Sequence, residues 1–292
     1  MAWTAAAAAF VLPGVAMTAA FAPAKADSEA VSRGAYVFRA AGCYACHTDV
    51  KNKGAPLAGG RALKTPFGTF YAPNITPDPV HGIGRWSDEH FLRAIRHGVA
   101  PDGRHYYPVF PYTSYTGMTE PDVLDLKAYL FAQPPATRAD TPHEVNFPFR
   151  FRFLLGIWKI LFFEAGRRTI DPARSERWNR GAYLVETLGH CGECHTPRNA
   201  LGAVDEDRRL AGNPSGPDGK KVPNITPHPR DGIGDWRESD ITYFLETGFR
   251  PDGDVAGGAM TEVIEESTSH LTDADRAAIA AYLLALPPIP GP

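Results

Sequence analysis

Hydrophobic positions along this chain gather into short stretches of helical period, separated by long Gly- and Pro-rich connections. The same order of stretches runs twice. Each round predicts a helix leading into a cysteine pair, a long loop, a short helix after Trp86 or Trp236, a second loop and a closing helix. Arg33-Gly34-Ala35-Tyr36 returns as Arg180-Gly181-Ala182-Tyr183, and PNITPDPVHGIGRW from Pro73 returns as PNITPHPRDGIGDW from Pro223. His97-Gly98 with Pro101-Asp102-Gly103 corresponds to Thr247-Gly248 with Pro251-Asp252-Gly253, and Lys127-Ala128-Tyr129-Leu130 to Ala280-Ala281-Tyr282-Leu283. Ser87-Asp88-Glu89, Thr119-Glu120-Pro121-Asp122 and Thr272-Asp273-Ala274-Asp275 mark helix starts. No pair of alternating segments predicts a β-hairpin.

Two apolar segments lie outside the repeat. Residues 1–26 hold an Ala/Val/Phe run closed by Ala24-Lys25-Ala26, which predicts a signal peptide cleaved before Asp27, with an uncleaved anchor as the alternative because no Lys or Arg precedes the run. Residues 134–172 contain NFPFRFRFLLGIWKILFFEAG, whose charges at Arg150, Arg152, Lys159 and Glu164 interrupt it too often to span a bilayer, which takes about 20 apolar residues. Two readings stay open for 147–163: a linker packed across both domains, or a surface that touches a membrane or a partner. The organisation is therefore a signal peptide (1–26), a first domain (27–133), an apolar linker (134–172) and a second domain (173–292).

The length of 292 residues suits two domains, and 28 Gly with 27 Pro make each of them loop-rich. Three or four helices wrapped in such loops are under-packed alone, so a large apolar cofactor inside each unit supplies missing core. A formal net charge of -3 offers no basic field for nucleic acid.

The four cysteines form two Cys-x-x-Cys pairs, Cys43 with Cys46 and Cys191 with Cys194, each followed at once by His47 or His195. Two thiols one helical turn apart can form thioethers with the vinyl groups of a haem, and the next imidazole then binds its iron, so the spacing predicts two covalent haem c groups. The rival is a redox dithiol or a four-sulfur zinc site, neither of which needs the trailing histidines. By elimination Met118 and Met260, the two methionines outside the first 26 residues, are candidates for the sixth ligand. Counted from the matched Pro-Asp-Gly, Met260 aligns with Phe110, while Met118 stands where the second unit has Leu271; His105 or an open site is the alternative at the first iron. Repeated donors Asn74, Thr76, Trp86, Asn224, Thr226 and Trp236 are candidates to bind the haem propionates, and the carbonyls of Pro73 and Pro223 to orient the histidines. Tyr129 and Tyr282 read as helix-packing residues.

The combination RGAYL…CHTPRN, PNITPxPxxGIGxW and Pro-Tyr-Thr-Ser-Tyr before the closing helix resembles the cytochrome c subunits of bacterial membrane-bound alcohol, gluconate and related dehydrogenases. The resemblance implies a mainly α fold of two tandem class-I-like cytochrome c domains. It also implies a periplasmic location, possible attachment to the outer face of the cytoplasmic membrane, a periplasmic dehydrogenase as donor, and a quinone, oxidase or other cytochrome as acceptor. Those subunits typically carry three haems, where this chain has two motifs, and many have Met where Phe110 stands. Electron transfer without a substrate site is the leading expectation. A dihaem peroxidase or sulfur-oxidising enzyme with one open iron is the alternative, and a haem-based sensor would need an output module that this sequence does not offer.

Overall fold

The computed structural model describes residues 1–2, 27–166 and 168–292, so the signal-peptide expectation falls almost wholly outside the described residues. The first repeat contributes α1 (Ser28–Ala40), α2 (Cys43–His47), α3 (Asp88–His97), α4 (Tyr112–Tyr115) and α5 (Glu120–Phe131). The second contributes α7 (Glu176–Tyr183), α8 (Gly192–His195), α9 (Glu238–Thr247), α10 (Ala259–Glu266) and α11 (Asp273–Leu284). Between them α6 spans Phe153–Phe162. The helix starts fall where the sequence marks them: Ser87, Thr119 and Thr272 each accept the backbone N–H three residues on.

Each repeat is organised by a crossing of its first and last helices. α1 packs on α5 and α7 on α11. The helices meet at a glycine, because a Cβ on Gly34 would lie 1.9 Å from the Asp125 carbonyl oxygen and one on Gly181 would lie 2.0 Å from that of Ala278. Tyr129 and Tyr282 flank these crossings as packing residues, and Tyr282 also donates to the buried Glu186 at 2.7 Å.

The repeats differ by one residue at the turn that follows. Six residues separate Tyr36 from Cys43, and seven separate Tyr183 from Cys191. The extra residue is taken up by a π-helical turn over Leu184–Leu188, closed by the Gly189 N–H on the Leu184 carbonyl at 2.7 Å.

A small antiparallel sheet, β1 (Ala62–Thr65), β2 (Gly68–Tyr71) and β3 (Glu144–Val145), corrects the expectation of no hairpin. Leu63 pairs with Phe70, and Gly68 pairs with Val145 from beyond α5. Phe70, Tyr107 and Leu155 of α6 form a satellite core beneath the sheet. α6 is clamped by Lys159, whose ammonium is buried and donates to the carbonyls of His97 and Gly98 at the C-terminal end of α3, at 2.6 and 2.9 Å. The Trp158 indole donates to the Leu201 carbonyl at 2.9 Å, so this helix touches both repeats.

One continuous apolar cluster joins the halves, from Phe38, Met118 and Leu126 to Leu184, Ile241 and Ile279. Polar clasps edge it: Tyr36 with Asp275, Tyr183 with Asp122 and Arg39 with Glu266. Among the described residues no helix is long and apolar enough to cross a membrane.

Candidate haem sites

Both Cys-x-x-Cys-His segments form a single helical turn entered through left-handed backbone, at Gly42 (φ 62°) in the first repeat and His190 (φ 38°) in the second. No disulfide joins any of the four cysteines. Before a haem is attached, burial pushes the thiols of Cys43 and Cys191 up to about 12 and that of Cys194 up to about 11, and it raises Cys46 as well, so none of them is a standing thiolate. Among the described residues no three His, Cys, Asp or Glu side chains converge on a point that could hold a metal ion, so the four thiols do not form the rival zinc site.

The histidines are oriented alike. His47 Nδ1 lies 2.8 Å from the Pro73 carbonyl, and His195 Nδ1 lies 2.8 Å from that of Pro223. A carbonyl can only accept, so Nδ1 carries the proton and the Nε2 lone pair stays available to a metal. Burial pushes both imidazoles below their ordinary pKa, which keeps them neutral, as an iron ligand must be.

A matched loop brings those carbonyls into place. Thr48 Oγ1 accepts the Leu57 N–H and Thr196 Oγ1 the Leu210 N–H, both at 3.1 Å. Leu57 and Leu210 are left-handed, and each carbonyl accepts the N–H of Ile75 or Ile225 at 2.9 Å. The chain then passes so close to Pro73 that a Cβ on Gly59 would lie 2.6 Å from the very oxygen that His47 uses. Leu57-Ala58-Gly59 and Leu210-Ala211-Gly212 are therefore positioning residues that the sequence analysis passed over, although their recurrence in register after the cysteine motif was visible.

Asn74 and Asn224 brace the loop in the same way in both repeats. Asn74 Nδ2 donates to the carbonyls of Ala136 and Arg138 at 2.7 and 3.0 Å, and its Oδ1 accepts both the N–H and the hydroxyl of Thr76. Asn224 repeats this with Ile289 and Thr226. These side chains tie the loop to the chain beyond the closing helix. Trp86 and Trp236 are half-buried against the apolar cluster, with Trp236 edge-on to Phe244 at 5.5 Å.

Met118 is fully buried between α4 and α5, and Met260 is half-buried in the first turn of α10; both join the apolar cluster that contains Cys43 and Cys191. Leu271 and Phe110 fill the corresponding places of the other repeat in the same cluster. His105 belongs elsewhere, beneath α6 against Gly156, with its carbonyl accepting from Arg152 at 2.9 Å.

The two motifs are also wired to each other. Glu193, inside the second, accepts from Thr113 and Ser114 of α4 at 2.7 and 3.0 Å. Arg61 donates to the carbonyl of Ala45, inside the first, and pairs with Glu262 of α10. Tyr115 donates to the Ala41 carbonyl at 2.8 Å and packs edge-on to His190, ring centres 5.5 Å apart. Sequence reasoning missed His190, though the seven-against-six spacing was its signal.

Paired cysteines one turn apart, an imidazole with Nε2 free and a methionine in the same apolar cluster form, in each repeat, a donor set that fits a covalently attached haem. Comparison with known proteins agrees with that chemistry. The cytochrome c family model matches residues 31–132 and 179–287. A diheme cytochrome c-type protein of Cereibacter sphaeroides is 49% identical over 91% of this chain and 92% of its own length. The fructose dehydrogenase cytochrome subunit of Gluconobacter japonicus is 44% identical over 91% of this chain, and the gluconate 2-dehydrogenase cytochrome c subunit of Pantoea cypripedii 42% over 92%. This chain spans only 54% and 62% of those two dehydrogenase subunits. With both attachment turns lying inside the two matched segments, the chain belongs to the cytochrome c family and carries two covalently bound haem c groups.

Proposed function

We propose that this chain is a dihaem electron carrier that receives electrons from a periplasmic dehydrogenase and passes them to a quinone, an oxidase or another cytochrome of the respiratory chain. The observation that carries the reading is the identical His47–Pro73 and His195–Pro223 geometry, which prepares two equivalent imidazole ligands. The relatives named as dehydrogenase cytochrome subunits support a dehydrogenase as donor. Each bound haem supplies a one-electron iron couple. Cys43 with Cys46, and Cys191 with Cys194, anchor the groups; His47 and His195 are the proximal ligands, and Met118 and Met260 the distal ones. The full burial of Met118 supports a capped first iron over an open, catalytic one.

The finer organisation follows the repeat: residues 27–133 and 173–292 each enclose one haem, and 134–172 strap them together. Asn74 and Asn224 brace the loops that carry Pro73 and Pro223, while Trp86 and Trp236 pack beside the groups. The outward face of 147–163, with Phe147, Phe153, Ile157, Ile160 and Leu161 exposed and Arg150 lying over the rings of Phe147 and Phe151, suits the outer surface of an anionic membrane.

The deciding experiment is expression in a host that attaches haem c, followed by haem counting and mixing with a reduced periplasmic dehydrogenase. Two covalent haems per chain that become reduced, with no carbon monoxide adduct, are the expected result. One or no haem, or rapid carbon monoxide binding, would overturn the carrier reading.

A further inference from the structure

His190 is the surplus residue of the second repeat. It occupies the left-handed position before the cysteine turn, where the first repeat has Gly42. Around Gly42 a Cβ would meet nothing within 4 Å, so that glycine serves only its backbone angle. A histidine there strains the backbone, and the inserted residue is accommodated by the π-helical turn over Leu184–Leu188. Strain of this kind persists where the surroundings fix it, and here they lie in the other repeat. The half-buried imidazole lies edge-on to Tyr115, and Tyr115 donates to the Ala41 carbonyl, two residues ahead of Cys43. On either side Glu193 is held by Thr113 and Ser114, and Arg61 ties Ala45 to Glu262.

We infer that His190 is a positioning residue that locks the two cysteine motifs face to face and so sets the rate of electron exchange between the haems they carry. This rests on the dihaem reading proposed above. In the exchange one electron leaves a ferrous iron, which becomes ferric, and reduces the ferric iron of the other site; no bond forms or breaks and no proton moves. Electron tunnelling falls steeply with separation, so a contact that fixes the two attachment turns against each other controls it. Burial pushes the His190 imidazole below its ordinary pKa, while the Ala41 carbonyl and Glu193 pull it back up, so the ring sits as a neutral spacer between the motifs.

The test is His190→Gly in the full holo-protein, because it restores the backbone of Gly42 while removing the ring. Electron injection into one haem, followed optically, reads the exchange rate, and a spectroelectrochemical titration reads the separation of the two midpoints. The expected result is two haems per chain, an undiminished Tm, an exchange rate about tenfold lower, as losing one packed link in a coupling network produces, and a narrower separation of the midpoints. His190→Asn, which tolerates the left-handed backbone and keeps an N–H donor, recovers most of the rate. Tyr115→Phe, losing its bond to Ala41, lowers it in the same direction.

Parental rate and midpoints in His190→Gly would overturn the inference, and so would a fall in Tm or haem content, which would make the role structural. A parent chain lacking two reducible covalent haems would instead overturn the carrier reading.

Discussion

Tyr36 and Tyr183 hold the same place in the two repeats, and each donates its hydroxyl to the capping region of the other repeat's closing helix, Tyr36 to Asp275 and Tyr183 to Asp122, both at 2.5 Å. Each hydroxyl also accepts the N–H of the helix-capping threonine, from Thr272 at 3.1 Å and Thr119 at 3.2 Å. The interface is thus a two-fold-like pairing within one chain, built from residues the repeat duplicates.

Removing either hydroxyl takes a charge-assisted hydrogen bond from a partly buried carboxylate, although Asp275 keeps its two bonds from Arg180. Tyr36→Phe and Tyr183→Phe are each expected to lower stability by about 1.5–3 kcal/mol. Because both clasps close one interface, the double variant departs from the sum of the singles. Denaturant unfolding of the four proteins measures both quantities, and a change within error for either single variant would show that its clasp contributes nothing.

The same clasp fixes a pH response. Burial pushes the Asp275 carboxyl up, but hydrogen bonds from Arg180 and Tyr36 and the charge of Arg180 outweigh it and hold the group below its ordinary value of 3.8. A folded pKa below the unfolded one means that the stabilisation is fully present above that ordinary value and lost as the pH falls through the lower folded value. Tm is therefore expected to fall on acidification below about pH 4, and Asp275→Asn removes that part of the slope. A fall beginning near neutral pH would point to histidines instead.

Much of this was legible in the chain because a duplicated pattern tests itself. The cysteine turns, the caps at Thr119 and Thr272 and the Pro73 and Pro223 carbonyls are all local and carried twice; the cap at Ser87, opposite Arg237 in the second repeat, is local as well. What escaped depends on distant partners. The hairpin of β1 and β2 is four residues a side, and β3 joins it from a segment about seventy residues away, so no period announces it. Asn74 read as a free donor because its acceptors, Ala136 and Arg138, follow the closing helix. Nothing in a leucine flags the left-handed backbone of Leu57 and Leu210, which the tertiary contacts impose.

The helix crossings leave no room for a methyl group. In Gly34→Ala and Gly181→Ala the new Cβ would overlap the backbone of the opposing helix, at Asp125 and Ala278, which cannot swing aside as a side chain would. Each substitution is expected to cost ~3 kcal/mol, read as a lower midpoint in thermal or denaturant unfolding. A variant as stable as the parent would mean that α1 and α5, or α7 and α11, separate at little cost.

Ile160 and Leu161 on α6 are 85% and 63% exposed, so they contribute little to the fold. Replacing both by Ser should change stability by no more than about 0.5 kcal/mol each, yet abolish co-sedimentation with anionic vesicles. If vesicle binding survives, the membrane does not use this face; if binding to a dehydrogenase is lost instead, the patch is a protein-docking surface.

Met118 and Met260 stand at different points of their repeats, so the proposed sixth ligand reaches its iron from a different direction in the sequence at each site. Leu conserves the volume of Met and removes only the sulfur, so Met118→Leu and Met260→Leu should keep the fold within about 1.5 kcal/mol. Each is expected to erase half of the long-wavelength sulfur-to-iron band, lower the midpoint of one haem and open that haem to carbon monoxide. The two variants should also strike different haems, which their separate midpoints resolve. An unchanged spectrum in Met118→Leu would leave the first iron without this sulfur. Phe110, at the place Met260 holds in the second repeat, has no donor to replace it, so the first haem would then be the open one and the catalytic alternative would return.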